Sequence, residues 1–302
     1  MEQQYAIELK NVGKKIKDRW ILQNINIRIP KGEIYGFIGP NGAGKTTLIK
    51  IMSGLSRYTT GSVKIFNKTV GGHHIPSDVG ILVEYPAFVP ELSGMKNLEL
   101  LASIRNKIGK REIQDAIRMV GLDPDDKKRV GAYSLGMRER LGIAQAIMEF
   151  PSVLLLDEPT NGLDPKGIVE LRYSLFDLSK KGTTIFLSSH LLHEVEQLCN
   201  RVAIVNKGKI VEEINKTNNF SKRIIIRVTG KDDWAKLCEW SLIPQEKRMK
   251  KDKKIQFKAI VETNVPVHNI IEQLVMRGIS IESITPYEEM LEEAFLNTVG
   301  VE

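Results

Sequence analysis

Short apolar runs alternate with amphipathic, helix-like segments over about the first 215 residues of this 302-residue chain. Apolar runs bounded by glycine, proline or charged residues are typical of strands. We predict strands at Ile21–Ile29, Glu33–Ile38, Val79–Val83, Val153–Asp157, Thr183–Ser188 and Val202–Asn206. Between residues 93 and 150, apolar positions such as Leu98, Leu101 and Ile104 recur at helical spacing. Strands that alternate with helices favour a largely parallel sheet covered by helices.

The pattern changes near Lys216–Asn219, a polar stretch where we predict a domain boundary. Beyond it, strand-like and helix-like segments alternate over a shorter length. These segments are strands at Arg223–Val228, Lys254–Val261 and Ile279–Thr285, helices at Asp232–Trp240 and Val267–Arg277, and a last amphipathic helix at Glu288–Thr298. We therefore predict an α/β domain over residues 1–217 and a small α+β accessory domain over residues 218–302.

The composition is that of an ordinary globular protein, with 42% hydrophobic and 27% charged residues. The net charge of +7 allows contact with nucleic acid, anionic lipid or nucleotide. The basic run Lys247–Lys254 is expected to be a solvated hairpin tip, with an anionic-lipid or nucleic-acid contact as the alternative. Cys199 and Cys238 lack the spacing of a metal site. No run approaches the roughly 20 apolar residues of a spanning helix, so a membrane role is expected to need a partner.

A glycine-rich turn follows the strand Glu33–Ile38 and precedes a helix predicted from about Gly44 to Ser53. The turn matches the phosphate-binding pattern GxxxxGK[ST] through Gly39, Pro40, Asn41, Gly42, Ala43, Gly44, Lys45 and Thr46. Glycines let backbone N–H groups approach phosphates, and the helix N-terminus adds positive potential. Lys45 is predicted to reach the β- and γ-phosphates, and the Thr46 hydroxyl to bind Mg²⁺. The motif predicts a nucleoside-triphosphate site.

Two adjacent carboxylates, Asp157 and Glu158, stand at the end of the apolar strand Val153–Asp157. Successive strand residues face opposite sides, so the two acids can take different roles. Asp157 is predicted to bind Mg²⁺, and Glu158 to orient and polarise an attacking water molecule. A helix-capping acid pair is the alternative, and the residues that follow disfavour it.

Four segments in the right order resemble the motifs of ABC-type ATPases, the ATP-binding subunits of ABC transporters. Gly39–Thr47 resembles their Walker A loop, and Asp157–Pro165 resembles their Walker B motif and D-loop. Tyr133–Arg138 stands where the family carries its LSGGQ signature, and Ser188-Ser189-His190 where it carries a switch histidine. The resemblance implies a P-loop NTPase fold of ABC type, with a helical subdomain at about residues 86–150.

In this family two nucleotide-binding domains meet head to tail, so the resemblance implies that a partner completes each site. The signature residues are Ser134, Leu135, Gly136 and Met137, and with the helix predicted at Arg138–Glu149 they would bind the γ-phosphate of the partner's ATP. His190 would contact the same phosphate, Thr47 belongs to the ATP-binding loop and Asp164 to the D-loop. The implied partners are a second nucleotide-binding domain and an integral membrane permease. The permease would hold the chain on the cytoplasmic face of the cell membrane.

The chain departs from the family pattern in three places. Leu135 and Met137 replace a glycine and a glutamine of the signature. Ile16 stands where an aromatic residue usually stacks on adenine, and Trp20 or Tyr5 either substitutes for it or simply packs. The third departure is Glu84, which replaces the glutamine of the Q-loop, a residue that contacts Mg²⁺ and links to the permease. A carboxylate can still bind Mg²⁺ but cannot donate a hydrogen bond as an amide can.

Glu84, with the segments Pro90–Leu98 and Tyr133–Gln145, resembles the ABC ATPases of bacitracin resistance and lantibiotic immunity. This resemblance implies export of an antimicrobial peptide, and leaves lipid, ion or drug export as alternatives. Leu291–Leu296 resembles a closing helix of exporter-type ATPases.

Two other classes of function are disfavoured. An ABC ATPase that acts on DNA or ribosomes would be expected to carry a long coiled coil or two nucleotide-binding domains, so no nucleic-acid partner is expected. A non-hydrolysing regulatory subunit is disfavoured because Lys45, Asp157, Glu158 and His190 are all present.

Overall fold

The computed structural model describes residues 5–71, 76–84, 87–215, 222–228, 231–238, 247–251, 254–263 and 267–286. Backbone contacts divide the chain into two compact units, with the division between Ile214 and Asn215. The predicted boundary stretch Lys216–Asn219 lies outside the described residues. Within the described part, no helix combines the length and apolar character needed to cross a membrane.

The first unit contains ten strands, six α-helices and one short 3-10 helix (Val130–Ala132) among its described residues. The strands are β1 (Tyr5–Ile16), β2 (Arg19–Pro30), β3 (Ile34–Ile38), β4 (Thr60–Ile65), β5 (Lys68–Thr69), β6 (Val79–Leu82), β7 (Val153–Asp157), β8 (Thr184–Ser189), β9 (Arg201–Asn206) and β10 (Lys209–Asn215). The helices are α1 (Lys45–Met52), α2 (Gly94–Arg105), α3 (Lys110–Met119), α4 (Leu135–Ile147), α5 (Pro165–Lys180) and α6 (Leu192–Leu198).

A six-stranded sheet in the order β10-β9-β3-β8-β7-β6 forms the centre of this unit. The neighbouring pairs β9–β3, β3–β8, β8–β7 and β7–β6 are all parallel. Every residue of strands β3 and β8 is buried, which explains why β3 and the centre of β8 are apolar. The predicted α/β class with a mostly parallel sheet is confirmed. Loops at the carboxyl ends of such strands meet at one edge, where ligands bind in α/β folds.

A second, antiparallel sheet in the order β2-β1-β4-β5 was not predicted from the sequence. The strand predicted at Ile21–Ile29 belongs to this sheet, where β2 pairs with β1. The strand β1 was missed because bulges interrupt its register and its apolar alternation. Ile7 and Ile25 of this sheet share one buried core with Phe37 and Phe186 of the central sheet. The antiparallel sheet therefore covers part of the central sheet.

Helices α2, α3 and α4 occupy the segment between β6 and β7. Helix α4 begins at Leu135, so the prediction of a start at Arg138 was wrong by about one turn. The reason is Ser134, whose hydroxyl oxygen caps the helix by accepting a hydrogen bond from the Met137 N–H at 3.2 Å. Helix α4 also packs very closely on β6, because a methyl group added at Gly80 would lie 1.9 Å from the Ala146 carbonyl oxygen.

The second unit contains an antiparallel sheet in the order β12-β13-β11-β14. Its described elements are β11 (Lys222–Val228), α7 (Lys231–Cys238), β12 (Lys247–Lys251), β13 (Lys254–Thr263), α8 (Val267–Met276) and β14 (Ser283–Pro286). Strand β12 pairs with β13 from Lys247↔Lys258 to Lys251↔Lys254, so the basic run lies at a hairpin, as predicted. Most of its described residues belong to strand β12 and not to the tip. The helices predicted at Glu288–Thr298 and Leu291–Leu296 lie outside the described residues.

Candidate functional site

The loop from Gly39 to Gly44 joins the buried strand β3 to helix α1. A methyl group at Gly39 would lie 2.3 Å from the Val205 carbonyl oxygen, so this position needs glycine. Gly44 has a φ of 103° and caps α1 without any side-chain hydrogen bond. A methyl group at Gly42 would meet no atom within 4 Å, so the loop is open on that side. The N–H groups at the start of α1 thus have no capping side chain, as an anion site requires.

Lys45 is buried at the base of this loop, with 6% of its side chain exposed. Its Nζ donates hydrogen bonds to the carbonyl oxygens of Gly39 at 2.7 Å and Pro40 at 3.3 Å. The same Nζ lies 3.1 Å from Glu158 Oε1. Each described contact of the buried Lys45 ammonium is therefore with an oxygen atom, which compensates its positive charge.

Thr46, Asp157 and Ser188 form a chain of hydrogen bonds between α1, β7 and β8. The Thr46 hydroxyl donates to Asp157 Oδ2 at 2.6 Å, and the Ser188 hydroxyl donates to Oδ1 at 2.5 Å. Asp157 and Ser188 are register partners in the parallel β7–β8 pair, which explains why they meet. Ser188 was part of the predicted histidine motif, but no role was predicted for it from the sequence.

Glu158 follows β7 in a left-handed conformation, with a φ of 50°. Its N–H donates to the Ser188 hydroxyl oxygen at 3.0 Å, and its Oε1 contacts the Lys45 ammonium. Its other carboxylate oxygen, Oε2, lies 2.5 Å from Nδ1 of His190. An ionised carboxylate only accepts hydrogen bonds, so this contact assigns a proton to Nδ1. The structure thus brings the three predicted catalytic residues, Lys45, Glu158 and His190, into one contiguous group.

Glu84 lies just beyond β6, also in a left-handed conformation with a φ of 57°. Strand β6 is the parallel neighbour of β7, with Leu82 opposite Leu156, so Glu84 and Glu158 follow adjacent strand ends. The Glu84 Oε1 lies 2.5 Å from Nζ of Lys50 on helix α1. Sequence reasoning did not identify Lys50, because the two residues are far apart along the chain.

The signature residues lie at the start of α4, next to the loop that contains Asp164. A methyl group at Gly136 would lie 2.8 Å from the Gly162 carbonyl oxygen, and one at Gly162 would lie 2.7 Å from Leu135 Cδ2. Asp164 caps α5 by accepting a hydrogen bond from the Gly167 N–H at 3.1 Å. These residues therefore form a second group, and the described hydrogen bonds and ion pairs do not join it to Lys45 or Glu158.

Arg140 connects this second group to three helices, and sequence reasoning missed it. Its guanidinium donates to the Val120 carbonyl oxygen at 2.8 Å and to Glu170 Oε2 at 2.7 Å, and it lies 3.6 Å from Asp164 Oδ1. The hydrogen bond from Arg140 lowers the pKa of the Glu170 carboxyl.

The two aromatic candidates for stacking on adenine differ in their position relative to the loop. Leu22 marks the part of β2 next to the loop, since a methyl group at Gly44 would lie 2.6 Å from Leu22 Cδ2. Tyr5 pairs with Pro30, eight residues further along β2, and the guanidinium of Arg28 lies over its ring. A strand rises about 3.3 Å per residue, so eight residues of β2 place Tyr5 too far from the loop to contact a nucleotide bound there. Trp20 lies two residues from Leu22, and packs on Gly13.

Three kinds of similarity relate the chain to known proteins. A family model described as ABC transporter matches residues 22–161. The bacitracin transport ATP-binding protein BcrA of Enterococcus faecalis is 39% identical over 99% of this chain and 98% of its own length. The lantibiotic transport ATP-binding protein SrtF of Streptococcus pyogenes is 41% identical over 68% of this chain and 90% of its own length. The dimeric structure of a bacterial ABC transporter cassette matches with a TM-score of 0.64 at 25% identity, over 70% of this chain and 98% of that chain.

Proposed function

The chain belongs to the ABC transporter family as an ATP-hydrolysing subunit, and on that premise we propose that it powers a separate membrane permease that exports an antimicrobial peptide. Its fold is the P-loop NTPase fold of ABC type, as the family model and the solved cassette agree. One observation carries the chemical part of the proposal: Lys45, Glu158 and His190 form one group beside the bonded pair Thr46 and Asp157.

The residues of the loop fit the triphosphate of ATP. The proposed binding residues are Gly39, Pro40, Asn41, Gly42, Ala43, Gly44, Lys45, Thr46 and Thr47. The open side of the loop and the uncapped start of α1 present N–H groups to phosphate oxygens. Lys45 exchanges its Glu158 contact for the β- and γ-phosphates, because a phosphate carries more negative charge than one carboxylate.

Thr46 and Asp157 fit Mg²⁺, because hydroxyl and carboxylate oxygens are the ligands that this ion prefers. Glu84 supplies a further carboxylate from the adjacent strand end. When bound, Mg²⁺ neutralises phosphate charge as the bond to the leaving group breaks. Ser188 holds the second oxygen of Asp157, which fixes the direction of the first.

Glu158 takes a proton from the water that attacks the γ-phosphate. Its carboxylate is 17% exposed, and the contact of Oε2 with His190 keeps it oriented when Lys45 leaves Oε1 for the phosphates. Its left-handed backbone turn directs the side chain out of the strand and towards the loop. His190 holds Glu158 through Nδ1, and its second ring nitrogen donates to the phosphate only when the ring carries a proton on both nitrogens.

Two copies of the domain complete each other's sites. Ser134, Leu135, Gly136 and Met137 stand at the N-terminus of α4, a phosphate-binding feature, and make no described hydrogen bond or ion pair with the chain's own Lys45. The proposal therefore has them bind ATP held by the second copy, with Asp164 in the adjoining loop. The dimeric cassette that shares this fold supports such an assembly.

The substrate and the location follow from the relatives. The names of two relatives specify bacitracin transport and lantibiotic transport, and both substrates are peptide antibiotics. We infer a peptide of that class for this chain, and a permease that holds the chain on the cytoplasmic face of the cell membrane. Glu84 is the residue proposed to link ATP binding to that permease.

A strain that lacks this chain tests both halves of the proposal when it is complemented with wild-type protein or with Glu158→Gln. We expect the variant to bind ATP but to hydrolyse it at about one hundredth of the wild-type rate or below, because the amide cannot accept the proton. Only the wild type should restore resistance to a bacitracin-type or lantibiotic-type peptide. A tagged copy purified from detergent-solubilised membranes should carry a polytopic membrane protein in stoichiometric amount.

The matched control is Glu8→Gln. Glu8 lies on β1, outside the site, and its carboxylate is paired with Lys10 and Arg28. Unchanged hydrolysis in Glu158→Gln would remove the role of Glu158. Full hydrolysis without any effect of the wild type on peptide resistance would leave an ATPase and refute the substrate. Ribosomal or DNA-associated partners in place of a membrane protein would refute the transport role.

A further inference from the structure

Glu84 adds a negative charge to a site that binds a negatively charged ligand. The family has a neutral glutamine in this position, as the comparison of motifs implied. Asp157 and Glu158 already place two carboxylates at the end of β7, and the pairing of Leu82 with Leu156 brings Glu84 to the end of the adjacent strand. A further carboxylate beside the site opposes the binding of a polyphosphate, because like charges repel. A compensating cation is therefore needed close to Glu84.

Each of the other two carboxylates has its own compensation. Glu158 contacts the Lys45 ammonium at 3.1 Å, and Asp157 accepts hydrogen bonds from two hydroxyl groups. Glu84 has a single described partner, Nζ of Lys50 at 2.5 Å. The ion pair thus neutralises the extra charge where it arises.

Helix α1 connects Lys50 to the rest of the site. Lys50 lies four residues after Thr46, so the two side chains lie on the same face of α1, one turn apart. Thr46 is hydrogen-bonded to Asp157 on β7, and Lys50 is paired with Glu84 beyond β6. The single helix α1 therefore contacts the ends of both strands through two successive turns.

We propose that Lys50 is a positioning residue that neutralises Glu84 and holds its carboxylate against α1, so that ATP phosphates bind without repulsion from it. This inference rests on the proposed function, because it requires ATP at the loop. Lys50 acts on ATP through Glu84 and not by direct contact. The pair is partly solvated, with 33% of the Lys50 side chain and 64% of the Glu84 side chain exposed, so its effect is moderate and weakens as salt rises.

A double-mutant cycle on nucleotide affinity tests the inference. The Kd for ATP is measured in magnesium-free buffer at low salt for the wild type, Lys50→Met, Glu84→Gln and the double variant. Without Mg²⁺, the measurement reports charge at the loop apart from metal binding. We expect Lys50→Met to raise Kd about threefold to fivefold when Glu84 is present, and to have no effect when residue 84 is glutamine. Lys50→Arg keeps the charge and should restore wild-type Kd.

The matched control is Lys181→Met, which removes the lysine of a surface ion pair with Asp177 (2.6 Å) at the end of α5. It should leave Kd unchanged, and thermal unfolding of all variants shows whether they fold. An equal rise in Kd in both backgrounds would mean that Lys50 contacts ATP directly, and would refute the inference. An unchanged Kd in Lys50→Met would refute the inference as well. If the wild type bound no ATP even with Mg²⁺ present, the proposed function itself would fail, whereas the other outcomes refute only the role of Lys50.

Discussion

Ser188 joins two neighbouring carboxylates that have different tasks. Its hydroxyl donates to Asp157 Oδ1 and accepts from the Glu158 N–H, so one side chain uses both of its hydrogen-bonding capacities. The same residue is fully buried at the end of β8. A buried hydroxyl with two partners in the site orients the proposed metal ligand and the proposed base together.

Replacement of Ser188 by alanine should reduce ATP hydrolysis about tenfold to a hundredfold, because Asp157 loses the partner that fixes its direction. The free energy of unfolding should fall by about 1–2 kcal/mol, since the Glu158 N–H loses one of its acceptors. Steady-state ATPase assays and urea unfolding measure the two effects. Ser189→Ala is the control, because Ser189 Oγ accepts from the Leu191 N–H and contacts neither carboxylate. Equal losses in both variants would refute the specific role of Ser188.

Helix α4 combines a capped N-terminus with an unusual buried acid. Ser134 caps the helix and belongs to the signature, so the same residue stabilises the element and takes part in the proposed contact with ATP. One turn further along, Glu139 is only 6% exposed. Burial raises the pKa of the Glu139 carboxyl to about 6, although the nearby Arg138 acts in the opposite direction.

This raised pKa predicts a pH-dependent effect of Glu139→Gln. The folded protein binds the Glu139 proton more tightly than the unfolded chain does, so stability from this group is lost as pH rises from about 4.5 through about 6. At pH 8 the variant should be more stable than the wild type by about 1–2 kcal/mol, because a neutral amide replaces a buried charge. The difference should shrink to zero near pH 4.5.

Urea unfolding at several pH values between 4.5 and 8 measures this effect. Glu99→Gln on α2 is the control, because it makes the same replacement at an exposed position. A difference between wild type and Glu139→Gln that did not vary with pH would contradict the prediction. Such a result would mean that the carboxyl is charged, or neutral, over the whole range.

The whole chain consists of two units, and each unit has its own set of buried apolar residues. The candidate site lies wholly in the first unit, on loops at the ends of β3, β6, β7 and β8. Apolar residues of the second unit, such as Ile226, Val228 and Leu274, are buried within it. SrtF is matched over 90% of its own length by 68% of this chain, so a shorter relative exists. We propose that residues 218–302, which make up most of the second unit, include an accessory domain.

A chain that ends at residue 217 should fold and bind ATP with the Kd of the full chain, because the first unit has its own core. Circular dichroism during thermal unfolding and a nucleotide titration test this expectation. A chain that ends at residue 200 serves as the negative control, because it lacks β9 and β10 and exposes the edge of β3. If the chain that ends at residue 217 unfolded as well, the second unit would be part of the same folding unit.

Contiguous residues explain most of what could be predicted. The strand, glycine loop and helix around Lys45 follow one another directly, so their pattern was readable in the sequence. The element boundaries at β3, β7 and β13 were correct to within about two residues. Strand β1 was missed because its bulges disrupt the period, and the start of α4 was misplaced because its cap is part of the signature.

The fold class, the phosphate-binding loop and the identity of the acids could be predicted from the sequence, because each depends on residues close together along the chain. Which side chains contact one another depends on the assembled fold. Ser188 and Asp157 are 31 positions apart, Lys50 and Glu84 are 34 apart, and Thr46 and Asp157 are 111 apart. Such pairs depend on the register of parallel strands and on the packing of α1 against them. No local pattern encodes those distances, since they arise only when the sheet assembles.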